Sequence, residues 1–284
     1  MKKFTVLALA LLMPLFLCAQ AQIDTKKMKI SDFTQKITKV VLTGNQFHDA
    51  TLQAEVTAKW QISPFEFCSL KEFEQLRSDD NYYFLLTTKG QFKNEVEPGI
   101  VFLSLVKGGA DADKGINKML EIVSFPYSAA EEPSGREVVF LPFILDIIQS
   151  YTLESMEHDL NGYGGLGSTA LLFSKSDDTV IVFSEGDISQ SVTQDIRDLY
   201  FDERTLVVDE DVADGYMVPE KMNTLVSYVV APSTPGAGSY CYKMLIDPNT
   251  SELCYFKKHR MFKGLGAGFL MEDLRRIFHI RKKK

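Results

Sequence analysis

The sequence has few cysteines, few prolines and glycines, and fewer basic than acidic residues. Four cysteines occur in 284 residues, none in a C-x-x-C pair and none clustered with histidine, so no structural zinc site is expected. Ten prolines and 18 glycines exclude a low-complexity chain. The 31 basic and 38 acidic residues give a net charge of −7, which argues against a nucleic-acid partner held by a basic surface.

The remaining composition is that of a globular protein. Hydrophobic residues make up 45% of the chain and charged residues 24%, close to the averages for folded domains. This excludes a disordered chain and a multi-span membrane protein. The length is sufficient for one or two domains.

The first 21 residues have the three parts of a secretory signal peptide. Lys2 and Lys3 precede an apolar run from Thr5 to Leu17, and the small-x-small site Ala19–Ala21 follows. The run is shorter than the about 20 residues that span a bilayer. Cleavage after Ala21 therefore predicts a periplasmic or secreted protein with no transmembrane segment in the mature chain.

Cys18 offers a minority alternative, a lipid anchor. The residue before it is a leucine, where a bacterial lipidation site usually has a small residue. The mature chain would keep Cys68, Cys241 and Cys254, an odd number that leaves at least one free thiol. A Cys241–Cys254 disulfide depends on the hairpin register. The favoured interpretation is that all three are small buried hydrophobes.

Residues 22–125 predict an N-terminal α/β region, after a polar leader at 22–36. The segment 52–60 shows helical spacing and also strand alternation, so both assignments stay open. Ser69 and Glu72 form a capping box that begins a short helix. This alternation favours a mixed or parallel sheet covered by helices, an α/β fold with α+β as the alternative. Predicted strands are 37–42, 65–68, 82–87, 100–106 and 119–125.

Residues 138–284 predict a second α/β region, with one continuous domain as the alternative. A helix at 138–159, apolar nearly all round in its first half, is expected to be the central element or an interaction surface. Ile188, Val192, Ile196 and Leu199 predict an amphipathic helix. The two halves share no sequence repeat beyond the alternation of strands and helices. A distant structural relationship between them stays open. Further predicted elements are strands at 179–183, 205–208 and 225–230, a hairpin of 240–246 with 253–257, and a terminal helix at 270–280.

The element order of residues 37–125 resembles a known type of domain. The helix carrying Lys71–Phe73, followed by the apolar strand after Asp80 and a hairpin, is similar to α/β domains of periplasmic envelope proteins of the TolB amino-terminal or CsgG type. The resemblance rests on element order and transfers no functional residue. It implies a place in the cell envelope.

Most candidate chemical motifs have an ordinary explanation. The four histidines share no motif, and no Gly-x-Ser-x-Gly elbow is present. The run Gly162–Gly167 has G-x-G-x-x-G spacing, but a helix precedes it where a dinucleotide site needs a strand. The acids Asp209–Asp211 and Asp214 are oxygen ligands of the kind calcium binds, yet a solvated loop is favoured. We expect no metal and no cofactor.

The run Gly264–Gly268 is the best-placed candidate. It follows a hairpin strand and precedes the last helix, so the backbone of Gly264, Gly266 and Gly268 is expected to approach an anion near free helix amides. Lys263 adds positive charge. No Gly-Lys-Ser/Thr sequence accompanies it, and ordinary loop chemistry is the alternative.

These observations favour an exported protein, periplasmic or in the cell envelope, without enzymatic activity. It would bind or assemble with other molecules, either a partner protein or a second copy of the chain. The alternative is an exported hydrolase or anion-binding enzyme that uses the Gly264–Gly268 loop.

Overall fold

The structure is a computed structural model that describes residues 29–92, 95–158, 166, 178–236 and 238–282, with side chains in the last helix described to Phe278. The predicted signal peptide lies outside the described residues, as does the Gly162–Gly167 motif apart from Leu166.

The predicted α/β class is confirmed, with two five-stranded mixed sheets. The first sheet has the order β2-β1-β3-β4-β5 and comes from the N-terminal half of the chain. Helix α1 follows β1, α2 follows β2, and α3 follows β5. The elements are β1 Ile37–Leu42, α1 Gln46–Lys59, β2 Phe65–Ser69, α2 Leu70–Leu76, β3 Tyr82–Gly90, β4 Ile100–Lys107, β5 Leu120–Ala129 and α3 Arg136–Glu157.

The second sheet has the order β10-β9-β8-β6-β7 and comes from the C-terminal half. The predicted hairpin forms β9 and β10, and the terminal helix follows it. The elements are β6 Val180–Ser184, α4 Gln194–Tyr200, β7 Thr205–Val208, α5 Glu210–Asp214, β8 Thr224–Val230, β9 Tyr240–Asp247, β10 Glu252–Arg260 and α6 Met271–Lys282.

The two halves are structural repeats of each other. In each sheet the first strand pairs in parallel with the second and the third, β1 with β2 and β3, and β6 with β7 and β8. The fourth and fifth strands then add antiparallel beyond the third. Helices follow the first, second and fifth strands in both halves. The first repeat therefore spans β1 to α3, and the second spans β6 to α6.

The repeats share their largest core cluster. Helix α3 packs against β5 and α1 of its own repeat and also contacts β10 of the second. Val226 and Tyr228 belong to this shared cluster, whereas Leu225, on the opposite face of β8, packs with α6 residues such as Leu274. Among the described residues, α3 is the helix long and apolar enough to cross a membrane, and most of it is buried in this core. It is the central element that its composition predicted.

Local sequence accounts for the starts of α1 and α2. Asn45 caps α1 through its side chain, which accepts from the amides of Phe47 and His48. Of the two assignments left open for 52–60, the helix is the one observed, and it ends at Lys59 with Trp60 as an extended C-cap. The predicted capping box at the start of α2 is confirmed, with Ser69 and Glu72 bonded reciprocally.

Two expectations need correction. The helix expected from Ile188 begins only at Gln194, because the backbone of residues 187–189 bonds to Phe269 instead. Leu199, expected to face inward, is 61% exposed. The leader at 22–36 is ordered in its described part, since Phe33 is fully buried against Tyr83.

Candidate functional site

A cavity of about 1050 Å³ lies at one edge of the second sheet. Strands β6 and β8 are parallel, and β9 runs antiparallel to both β8 and β10, so the carboxyl ends of β6, β8 and β10 share this edge. The chain leaves β6 towards one neighbour, β7, and returns to the other, β8. Open α/β sheets place ligand sites outside the carboxyl ends of strands where the connections diverge in this way.

Three loops form the walls of the cavity. The first follows β6, the second joins β8 to β9, and the third joins β10 to α6. Their lining residues are Gly186, Ile188–Ser191, Pro235, Gly236, Gly238 and Arg260–Ala267.

The described lining of the cavity carries positive charge and no acidic residue. Its charged members are Arg260 and Lys263, both exposed. The two carboxylates nearest in sequence to the first loop are bonded elsewhere: Glu185 to Arg197 at 2.7 Å, and Asp187 to Arg136 at 3.0 Å. A concave site lined by charge of one sign concentrates ions of the opposite sign. The cavity is therefore suited to an anion.

The rest of the lining is apolar or hydroxylic. Phe262, which is 66% exposed, and Leu265 supply apolar surface, whereas Ile188 and Met261 are buried. In the first loop the hydroxyls of Ser189 and Ser191 lie 3.0 Å apart, and the Ser191 amide donates to Ser189 Oγ. These groups provide hydrogen bonds next to an apolar wall.

Gly264 and Gly266 occupy different environments in the third loop. Phe262 and Leu265 exchange backbone hydrogen bonds of 3.2 and 2.8 Å across a two-residue turn. Gly264 is the second residue of that turn, with φ +89°, a conformation that favours glycine. A Cβ at Gly266 would meet no atom within 4 Å, so its backbone faces open space.

Gly268 does not line the cavity. It is buried, with φ +100°, and a Cβ there would lie 2.6 Å from the Ser189 amide nitrogen and 2.7 Å from the Asp187 carbonyl oxygen. Its own amide donates to Cys241 Sγ at 3.3 Å. Gly268 thus lets the third loop pack on the first, a role separate from ligand contact.

The start of α6 is already occupied by a carboxylate of the protein. The Leu270 amide donates to Asp273 Oδ2 at 2.8 Å. Asp273 also accepts from Tyr255 at 2.6 Å and is paired with the buried Lys243. The structure therefore places the glycine turn and Lys263 of the expected anion site in the cavity wall. The Leu270 amide, expected to be free for an anion, is instead bonded to Asp273 as a cap of α6.

His259 fixes the third loop from behind. Its Nε2 lies 2.9 Å from the carbonyl oxygen of Gly266, and its Nδ1 is buried with no hydrogen-bond partner among the described residues. Burial lowers the pKa of His259, although the bond to Gly266 opposes that shift. The neutral ring with Nε2–H donating to Gly266 satisfies this arrangement.

A buried ion network supports the first loop. Arg136 Nη1 lies 3.0 Å from both carboxylate oxygens of Asp187, its Nε donates to Asp214 at 2.8 Å, and its Nη2 donates to the Ser227 carbonyl. The guanidinium also lies over the rings of Phe140 and Tyr228. Burial lowers the pKa of Arg136, but the two carboxylates outweigh it and raise that pKa above its ordinary value.

The other sequence candidates have structural explanations. Asp214, considered for calcium, is bonded to Arg136, and the described residues contain no cluster of three metal-ligating side chains. Cys241 pairs with His259 in the β9–β10 register rather than with Cys254, and Cys68, Cys241 and Cys254 are all buried. The interpretation of these cysteines as small buried hydrophobes is confirmed.

The sequence patterns identify one of the three cavity loops, the one that carries Gly264. The spacing of Ile188 and Val192 predicts a helix through Ser189–Ser191 instead of a loop, and no motif marks Pro235, Gly236 and Gly238. A usable signal is the pair of serines in the segment between β6 and the next helix, since α/β sheets place ligand contacts after the carboxyl ends of strands. Comparison with family models, curated proteins and solved structures gives no match to this chain. The candidate site is therefore supported by its own geometry.

Proposed function

We propose that this protein is an exported binding protein whose second repeat holds an anionic ligand in the cavity at the carboxyl edge of its sheet. One observation carries the proposal: Arg260 and Lys263 lie in the wall, and no acidic residue does among its described lining. An anion that enters the cavity is attracted by both of these positive charges. The hydroxyls of Ser189 and Ser191 in the first loop add hydrogen-bonding groups to the lining.

Binding is better supported than catalysis. A hydrolase needs a nucleophile within hydrogen-bond reach of a general base. The described lining contains serines but no histidine, aspartate or glutamate that would activate them. His259, the nearest candidate base, turns its Nε2 to the Gly266 carbonyl.

The amino-terminal segment and the resemblance to envelope domains support an exported, periplasmic or envelope location. N-terminal sequencing of protein recovered from the source cells tests this directly. The expected first residue is Gln22. A chain that still begins at Met1 would remove the export part of the proposal and leave the cavity untouched.

Calorimetric titration with inorganic phosphate at low ionic strength tests the anion site. We expect saturable binding that weakens with added salt and is lost in the double variant R260Q/K263Q. The matched control is Lys114→Gln, which removes an exposed cation from the first repeat. Binding that K114Q weakens as much as the double variant would contradict the proposal, because general surface charge would then account for it.

A further inference from the structure

The cavity lining combines cationic side chains with an exposed aromatic side chain, and this combination narrows the ligand class. We infer, resting on the proposed function, that the ligand is a small amphipathic anion: a phosphate or carboxylate head group on an apolar body. The head group lies against Arg260 and Lys263, and the body lies against an apolar wall formed by Phe262 and Leu265.

Phe262 is the central observation on the apolar side. Phe262 lines the cavity and is 66% exposed, and its backbone is fixed by the two hydrogen bonds of the turn with Leu265. A ligand that packs against this exposed aromatic side chain gains apolar contact area. Because the backbone is already fixed, little conformational entropy is lost on binding. Covering that ring with an apolar ligand removes surface from water, which is favourable in proportion to the area covered.

The cationic and apolar lining residues are contiguous along the chain. Phe262 and Lys263 are adjacent residues, and Arg260 lies two residues before Phe262. One ligand is therefore able to contact a cation and the aromatic ring together. The first loop contributes the hydroxyls of Ser189 and Ser191 to the same cavity.

The cavity is larger than a simple anion requires. Its volume is about 1050 Å³, at the upper end of the roughly 300–1,000 Å³ typical of pockets for drug-sized ligands. A bare phosphate would leave the apolar wall exposed to water. An anion with an attached apolar body uses both the charge and the volume. The concave shape between three loops favours a free small molecule over a lipid still held in a membrane surface.

Titration with three probes tests this inference: inorganic phosphate, octyl phosphate below its micelle concentration, and the neutral octyl glucoside. Octyl phosphate is expected to bind at least about tenfold more tightly than phosphate, a factor within reach of burying one aromatic side chain. Phe262→Ala should reduce that advantage to less than about threefold. Phe47→Ala is the control, since Phe47 is an equally exposed phenylalanine, at 71%, in the first repeat.

The outcomes separate this inference from the proposed function. Equal affinity for phosphate and octyl phosphate, both lost in R260Q/K263Q, would overturn the amphipathic ligand and keep the anion site. Octyl glucoside binding as tightly as octyl phosphate, with no effect of the double variant, would overturn both. Binding of phosphatidylglycerol vesicles in preference to free octyl phosphate would contradict the free small ligand. Circular dichroism of each variant establishes that it is folded.

Discussion

The guanidinium of Arg136 lies 3.0 Å from both carboxylate oxygens of Asp187, and this pair joins the two repeats. Arg136 is the first residue of α3, where the helix dipole disfavours a positive charge. An arginine at this position is therefore explained by its ion pair with the other repeat, because the start of a helix does not favour a positive charge. The Asp187 carbonyl also accepts from the Phe269 amide at 2.7 Å, so the same residue connects the first and third cavity loops.

Replacing Arg136 with methionine should destabilise the protein strongly. Arg136 is 4% exposed, and its loss leaves the buried Asp187 and the partly buried Asp214 without their cation. Breaking a buried ion pair from one side costs about 3–5 kcal/mol in free energy of unfolding. Urea denaturation measures this. The control is Arg276→Met, which breaks an exposed ion pair with Glu272 in α6 and should lower the free energy of unfolding by less than about 0.5 kcal/mol. Similar losses of free energy in the two variants would contradict the role given to Arg136.

Gly268→Ala should be much more destabilising than Gly266→Ala. At Gly268 the positive φ and the contact with the first loop both oppose a side chain, and strain and overpacking together cost about 2–4 kcal/mol. At Gly266 a methyl group meets open space. Thermal unfolding of the two variants compares them directly. An unaltered melting temperature for G268A would mean that the loops do not pack as described.

His259 should contribute an acid-sensitive part of the stability. Its pKa is lowered in the folded protein from an ordinary 6.5, because the ring is buried. As the pH falls below the ordinary pKa of histidine, His259 binds a proton in the unfolded chain before it does so in the folded protein. The contribution of His259 to the free energy of unfolding, which is present in full above that pKa, is therefore lost. His259→Gln retains an N–H donor for Gly266 and removes the titration. Denaturation from about pH 7.5 to about pH 5 should therefore show a smaller loss in H259Q than in the wild type; parallel losses would exclude this contribution.

The buried thiols should be unreactive in the folded protein. Burial raises the pKa of Cys241 to about 12, and burial together with neighbouring carboxylates, opposed by Lys39, raises that of Cys68 to about 11. The thiolate is the reactive form and is scarce at neutral pH for both. Alkylation followed by peptide mass spectrometry should label Cys68, Cys241 and Cys254 only after unfolding. Rapid labelling of Cys241 under native conditions would show that the contact between β9 and Gly268 of the third loop opens readily.

Local patterns predicted the elements well where one physical signal dominated. Strand β1 has its predicted bounds, Ile37–Leu42, because its apolar run is bounded by a turn. The box of Ser69 and Glu72 fixed the start of α2. Apolar spacing misled at Ile188, which is buried by a bridge to Phe269 rather than by a helix. A buried position is apolar in the sequence whether a helix or a β-bridge buries it, so apolar spacing alone does not identify the element.

The repeat and the cavity could not be read from the same patterns. The repeats share strand order, which is a property of pairing between distant segments, and their loops differ in length and sequence. The cavity needs three loops from positions 186, 235 and 260, brought together by the direction of β6, β8 and β10. The Gly264 turn was identifiable because glycine marks a left-handed residue, but its neighbours across the cavity were not.

Chemical-shift mapping during titration of the isotope-labelled protein with octyl phosphate tests the central claim most directly. The backbone amides of Ser189–Ser191 and of Lys263–Ala267 should shift with a common saturation curve. The corresponding edge of the first sheet, residues 43–48 after β1, should stay unchanged and serves as the internal control. Shifts concentrated in the first repeat, or spread evenly over the surface, would contradict an anion site at the carboxyl edge of the second sheet.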